Sequence, residues 1–201
     1  MEVTRDTIMH SGGSLMIKVN GCFSQNEMEF ITTLNGFFIL KYDANGTVID
    51  NHGFVRYEIK LDKEERILVL QFCVRDQEDT DEGYINFVHI INISVPYRYR
   101  YQHIASDIIY LMSWVANKKL GIAFYITGIV NDGWKRNLIY KGAIEDDNGD
   151  DVRIAFDRWK QNYPDGLRLG RRAERILREF EKMLEKNEGV VFDSVCDNYL
   201  Q

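Results

Sequence analysis

The chain has 201 residues, 45% of them hydrophobic and 28% charged, which suits one domain with a full core and excludes a disordered chain. A net charge of −6 argues against broad nucleic-acid binding, which needs a basic face, and no apolar run approaches the length of a membrane span. Cys22, Cys73 and Cys196 are odd in number, far apart and without metal-ligand spacing, so they read as reduced thiols of a cytoplasmic protein.

Strand signals begin at Phe37. The run from Phe37 to Asp43 and the run from Thr47 to Ile49 flank Asn45-Gly46. Such a pair between apolar runs predicts a type I′ hairpin, whose central residues both need positive φ. From Gly53 to Leu61 the chain alternates, with Phe54, Arg56, Glu58 and Lys60 on one side and Val55, Tyr57, Ile59 and Leu61 on the other. Arg66 to Val74 is apolar almost throughout and predicts a central strand covered on both faces. An acidic turn from Asp76 to Glu82 leads into a strand from Tyr84 to Val95. On it Ile85, Phe87, His89, Ile91, Ile93 and Val95 share one face.

The period then changes. Ile104, Ile108, Leu111, Met112 and Val115 form one helical stripe, Lys118 and Lys119 suit the negative end of that helix, and Gly121 stops it. Ile122 to Val130 returns to strand. Strand, helix and strand with a tight return predict a parallel, right-handed βαβ unit. A helix follows from Asp132 to Tyr140, then a hairpin with Asn148-Gly149 between the runs from Gly142 to Glu145 and from Val152 to Phe156. The acids from Glu145 to Asp151 lack the spacing of a calcium loop, so they predict a solvated tip and no metal site. A last helix, Arg171 to Lys186, has a stripe of Ala173, Ile176, Leu177, Phe180, Met183 and Leu184.

These elements predict an α/β (α+β) three-layer sandwich with a mixed, mostly antiparallel central sheet and one parallel βαβ crossover. Residues 1–166 form the domain. Residues 167–201 form a helical extension that packs on the domain or on a partner, a second copy in a homodimer included.

The informative junction runs from Ser94 to Ser106, where a strand ends, a short basic loop turns and a helix begins. A first helical turn leaves backbone N–H groups unpaired and carries positive dipole, so it attracts phosphate. Arg98 and Arg100 add bidentate capacity. A solvated βα turn accounts for the same residues. Arg100-Tyr101-Gln102-His103-Ile104-Ala105 resembles the pyrophosphate loop of the GNAT superfamily of acyl-CoA N-acyltransferases, whose motif runs Arg/Gln-x-x-Gly-x-Gly/Ala. Arg100 and Ala105 match, Ser106 stands where the family often has a small hydroxyl residue, and His103 replaces the first glycine. Asn131 to Gly142 is similar to the family segment in which an Asn precedes a short helix bearing a Tyr.

The resemblance implies a GNAT-like fold, acetyl-CoA or another acyl-CoA as cofactor, and acetyl transfer to an amine of a small molecule or protein. It implies cofactor contacts from Ile93, Val95, Arg100, Tyr101, Gln102, His103, Ile104, Ala105, Ser106 and Asn131. Tyr140 is implied as the donor to the departing thiolate, two residues beyond the family interval, which lands near Leu138. Glu58, His89 and Glu82 are candidates for the base, with no motif behind any of them. On its apolar strand face His89 reads first as a core histidine, and Glu58, on a polar face, first as a solvated carboxylate. A catalytically inactive GNAT-fold interaction or assembly protein, of viral or mobile-element origin, is the rival reading. His103 and the displaced Tyr140 count toward it.

Overall fold

The fold is given by a computed structural model that describes residues 5–6, 18–42, 44, 46–61, 67–79, 83–100, 102–146, 149, 151–161, 175, 178 and 182. The strands are β1 (Arg5–Asp6), β2 (Lys18–Asn20), β3 (Gly46–Asp50), β4 (Val55–Lys60), β5 (Ile67–Asp79), β6 (Gly83–Ser94), β7 (Ala123–Ile126), β8 (Ile144–Glu145) and β9 (Val152–Arg153). They form one sheet in the order β1-β2-β3-β4-β5-β6-β7-β9-β8. The helices are α1 (Gln25–Tyr42), α2 (Ile104–Trp114), α3 (Asp132–Tyr140) and α4 (Phe156–Gln161). This is the expected α+β class with a mixed sheet.

The parallel crossover after Pro96 is present as β6-α2-β7. A second parallel pair, β2 with β3, is joined by α1. The remaining neighbours are antiparallel. One sheet face carries Val55, Tyr57, Ile59, Leu68, Leu70, Phe72, Val88, Ile90, Phe124 and Ile126, all buried. Helix α1 covers it, with Phe30 edge-on to Phe72 at 5.7 Å and Phe38 at 6.2 Å from Tyr57. Helix α2 packs beside α1, and Tyr110 of α2 meets Phe156 of α4 at 5.1 Å.

The hairpin expected at Asn45-Gly46 is not formed. Phe37 to Tyr42 are the last turns of α1. Phe30, Ile31, Leu34, Phe37 and Phe38 are buried at helical spacing, and a window opened at Phe37 saw only the end of that stripe. Gly46 instead starts β3, under the Tyr57 ring, where a Cβ would collide with the aromatic carbons. The buried Asn35 Oδ1 accepts from the Gly46 N–H at 3.1 Å and from the Tyr57 hydroxyl at 2.9 Å. The turn with two consecutive positive φ values lies between β3 and β4, at His52 (55°) and Gly53 (82°). Paired bonds between Asn51 and Phe54 close it.

Helix α2 continues through a π-helical segment, Val115–Leu120, to Gly121 in the left-handed region. Asn117 holds its end in place, donating to the Ile122 carbonyl at 2.9 Å and accepting from the Phe156 N–H at 2.8 Å. The β8–β9 hairpin is present: the Asp146 N–H donates to the Asp151 carbonyl at 3.0 Å and the Gly149 N–H to the Asp146 carbonyl at 2.9 Å, while Asn148 at its tip lies outside the described residues. Arg175, Arg178 and Lys182 are helical and exposed. The rest of the 167–201 extension, with its apolar stripe, lies outside the described residues, as do Tyr101 and Glu82.

One irregularity reshapes β6. Phe72 pairs with Ile90 while Gln71 pairs with Asn92, so Ile91 is an extra residue, a β-bulge. The bulge reverses the alternation. Ile93 pairs with Leu70 and joins the helix-covered face, whereas Asn92 and Ser94 share the opposite face with Phe87 and His89. The single face expected for Phe87, His89, Ile91 and Ile93 is therefore split.

Candidate functional site

The bulge coincides with a parting of strands. Strands β6 and β7 pair from Phe87↔Ala123 to Ile90↔Ile126, and the Thr127 N–H donates to the Ile90 carbonyl at 3.0 Å. Beyond that bond β6 runs on to Ser94, while the other chain turns away through Gly128 (φ 63°), whose N–H donates to Asp151 Oδ1 at 3.0 Å. Two parallel strands thus separate at their carboxyl ends, and such a separation in an open sheet makes a crevice. The freed edge of β6 presents backbone N–H and C=O groups without ladder partners. Apolar side chains stand on both lips: Ile91 is 41% exposed and Val130 96%.

The loop after β6 borders this opening. Tyr97–Tyr99 form a 3₁₀ turn after Pro96, and the Tyr99 hydroxyl donates to the Leu61 carbonyl at 3.4 Å. Arg100 is exposed, donates from Nε to the Val95 carbonyl at 3.3 Å and lies over the Tyr97 ring at 5.6 Å. Gln102 is exposed and donates to the Arg98 carbonyl at 3.5 Å. His103 is the N-cap of α2 at φ 60° and ψ 16°, with no side-chain capping bond. The loop therefore keeps a left-handed backbone where the family motif has glycine, with an imidazole in its place.

The first intrahelical bond of α2 runs from the Asp107 N–H to the His103 carbonyl at 2.9 Å. The N–H groups of Ile104, Ala105 and Ser106 have no acceptor within the helix. The Ile104 side chain is buried, so only its backbone serves this end; Ala105 and Ser106 are half-buried. Asp107 is buried in the same turn, and Lys41 Nζ pairs with it at 2.5 Å. That pairing keeps the carboxylate from offsetting the positive end of the helix.

The remaining candidates divide. Asn131 leads the chain into α3 as its N-cap, its Oδ1 accepting from the Trp134 N–H at 2.9 Å. Tyr140 is not brought to the crevice. Helix α3 starts at the crevice end and its nine residues run back along the sheet for about 13 Å, with Tyr140 at the far end. Two residues on a helix are also about 200° apart, so Tyr140 points away from buried Leu138, and it is 73% exposed. Ile93 and Val95 are half-buried against the core, one on the helix-covered face and one at the start of the loop. Glu58 lies two strands from β6 and accepts from Arg56 Nε at 2.6 Å.

His89 lies one residue before Ile90, on the face away from α1. Its ring is 4.3 Å from Phe87 and 5.7 Å from Tyr125. Nε2 is buried and has no hydrogen-bond partner among the described residues. Burial, aided by the Arg75 charge and partly opposed by Asp151, lowers its pKa, so the imidazole is neutral at pH 7. The neighbouring Cys73 thiol is pushed up by burial and stays protonated.

Reading by alternation missed the bulge at Ile91, Tyr125 and the pair Gln71–Asn92, whose amides meet at 3.4 Å. A signal for the pair was present, because Gln71 is the one amide in the otherwise apolar run from Ile67 to Val74.

No protein-family model matches the chain, and no curated protein does. Among solved structures it is similar to a Tyr-to-Phe mutant of the toxin AtaT bound to the C-terminus of the antitoxin AtaR and acetyl-CoA. The TM-score is 0.43 at 14% identity, covering 55% of this chain and 73% of that one. It is similar to a mutant of KacT at TM-score 0.42 and 14% identity, covering 54% and 75%. The KacTA–DNA complex gives TM-score 0.44 at 15% identity, covering 81% and 99%.

Proposed function

We propose that the chain is a GNAT-type acyl-CoA-dependent N-acyltransferase, with its cleft between the parted ends of β6 and β7. The parting itself, at a bulge and beside the exposed N-terminus of α2, is the observation that carries the reading. It supports both halves of a CoA site: free strand-edge groups for an amide-rich arm, and free helix N–H groups with Arg100 for phosphates. The loop motif from Arg100 to Ala105 supports the same assignment. Acetyl-CoA, when bound, supplies a thioester whose carbonyl carbon takes the amine, forming a C–N bond as the C–S bond breaks.

The protein's part is proton removal and exclusion of water. The attacking amine loses a proton, and we assign its removal to neutral His89, whose buried Nε2 has no partner among the described residues and which lies on the sheet face beside the parting. Glu58, held by Arg56 two strands away, is the weaker candidate. A non-catalytic GNAT-fold interaction protein is the second reading, favoured by the remoteness of Tyr140 and the side chain at His103.

Thermal melts with acetyl-CoA separate the readings. Saturation at about a hundred times Kd raises stability by about 2.7 kcal/mol. A rise, together with amine-dependent thiol release, supports the enzyme; a rise without thiol release for any amine supports the second reading. No shift at millimolar acetyl-CoA sinks the CoA site altogether.

A further inference from the structure

Helices α1 and α2 lie side by side and antiparallel, tied by an ion pair at each end. Glu29, in the first half of α1, pairs at 3.1 Å with Lys119, in the π-helical segment that continues α2. Lys41, in the last turn of α1, pairs with Asp107 in the first turn of α2. The second pair stands where helix ends of opposite sign meet. The carboxyl end of α1 carries the negative end of its dipole. Asp107 adds a full negative charge to the very turn whose free N–H groups are assigned to phosphate. Both sources of negative charge oppose an anion there.

Lys41 is the basic residue of the last turn of α1. Its Nζ lies 2.5 Å from Asp107 Oδ2, 5.1 Å from the centre of the Phe37 ring and 4.8 Å from that of Tyr42. The two side chains are 15% and 2% exposed, so water and salt screen neither charge well. Stability alone does not account for such a pair. A buried ion pair seldom stabilises a fold more than apolar residues of similar volume do, and Phe37, Ile108 and Leu111 show that these helices are otherwise apolar here.

We infer that Lys41 is a positioning residue for the coenzyme. Acting through Asp107 rather than on the ligand, it offsets both negative sources and keeps the α2 N-terminus positive enough to hold phosphate. This rests on the acyltransferase reading, which supplies the phosphate.

The experiment is calorimetric titration with acetyl-CoA at pH 8, on wild type, Asp107→Asn, Lys41→Met and the double variant, with urea unfolding of each. Breaking the pair destabilises both single variants. Their affinities are expected to part. Asp107→Asn tightens binding by about three- to tenfold and Lys41→Met weakens it by a similar factor, the scale of one charge at a helix end. The double variant, which restores the charge balance, is expected within about twofold of wild type. A merely structural role would move both affinities downward along with stability. If Lys41→Met does not fold, Asp107→Asn and the double variant carry the test. An Asp107→Asn protein that binds no tighter than wild type, or a double variant that binds as tightly as Asp107→Asn, overturns the inference while the CoA site stands. Failure of wild type to bind acetyl-CoA in titration and in melts overturns both.

Discussion

His103→Gly is the most informative single change. At φ 60° and ψ 16° His103 sits in the left-handed region, which raises the energy of a residue with a Cβ by about 1–2 kcal/mol. Glycine removes that strain but gives the unfolded chain more freedom, an opposing term of about 0.4–1 kcal/mol. No capping bond is lost, because the imidazole makes none. The net expectation is a stabilisation of up to about 1 kcal/mol, or roughly 2–4 °C in Tm for a chain of this size. His103→Ala keeps the strain, gains none of the freedom, and is expected to be neutral or slightly destabilising. Urea unfolding of the three proteins, with the slope held common, measures the order. A glycine variant less stable than the alanine variant would show that the imidazole stabilises the loop, and the strain argument would fail. The same proteins titrated with acetyl-CoA report whether removing the side chain tightens binding at the α2 N-terminus; weaker binding would mean that the imidazole is itself a phosphate ligand.

Other changes probe the scaffold. Asn35→Ala strips the acceptor from two buried donors, at Gly46 and Tyr57, and is expected to destabilise by about 2–4 kcal/mol in urea unfolding. On a Tyr57→Phe background, where one donor is already gone, the loss shrinks; an undiminished loss would refute the shared-acceptor account. Asn131→Ala removes the α3 cap and is expected to cost about 1 kcal/mol, while Asn131→Ser, which can still cap, recovers most of it. If both variants bind acetyl-CoA as wild type does, Asn131 acts as a cap alone. His89 has a depressed pKa, so the unfolded chain binds its proton first and stability falls as pH drops below about 6.5. His89→Gln is expected to flatten that limb in melts between pH 7 and 5; an unchanged limb assigns the loss to other groups.

Much of the fold was legible because burial writes itself into spacing. Val55, Tyr57 and Ile59 alternate and are buried, and the α2 stripe from Ile104 to Val115 became a helix that Gly121 ends. The misreadings have specific causes. Phe37 to Tyr42 is apolar enough to pass for a strand unless the helical partners Phe30, Ile31 and Leu34 are counted with it. The turn at His52-Gly53 was hidden because His-Gly is not among the Asn-Gly, Asp-Gly and Gly-Gly pairs that signal such a turn. In the candidate site, the loop motif was readable as a string, but the left-handed conformation at His103 and the far-end position of Tyr140 depend on chain path. The role of His89 depends on which face it occupies, and no local pattern announced that the faces change over at Ile91.

That changeover gives the β6 strand something like a reading frame. Substituting Ile91 alters one partly exposed side chain, and the register on either side survives. Deleting it closes the bulge: Ile90 and Asn92 become neighbours, still opposite Phe72 and Gln71, so Asn92 and Ser94 keep the open face and Ile93 stays inward. Losing Ile93 instead would force Asn92 or Ser94 to turn inward beneath α1 and α2. Gene variation along this strand should therefore tolerate a single-codon loss at the bulge far more readily than the same loss two codons later, where it would resemble a frameshift confined to one strand.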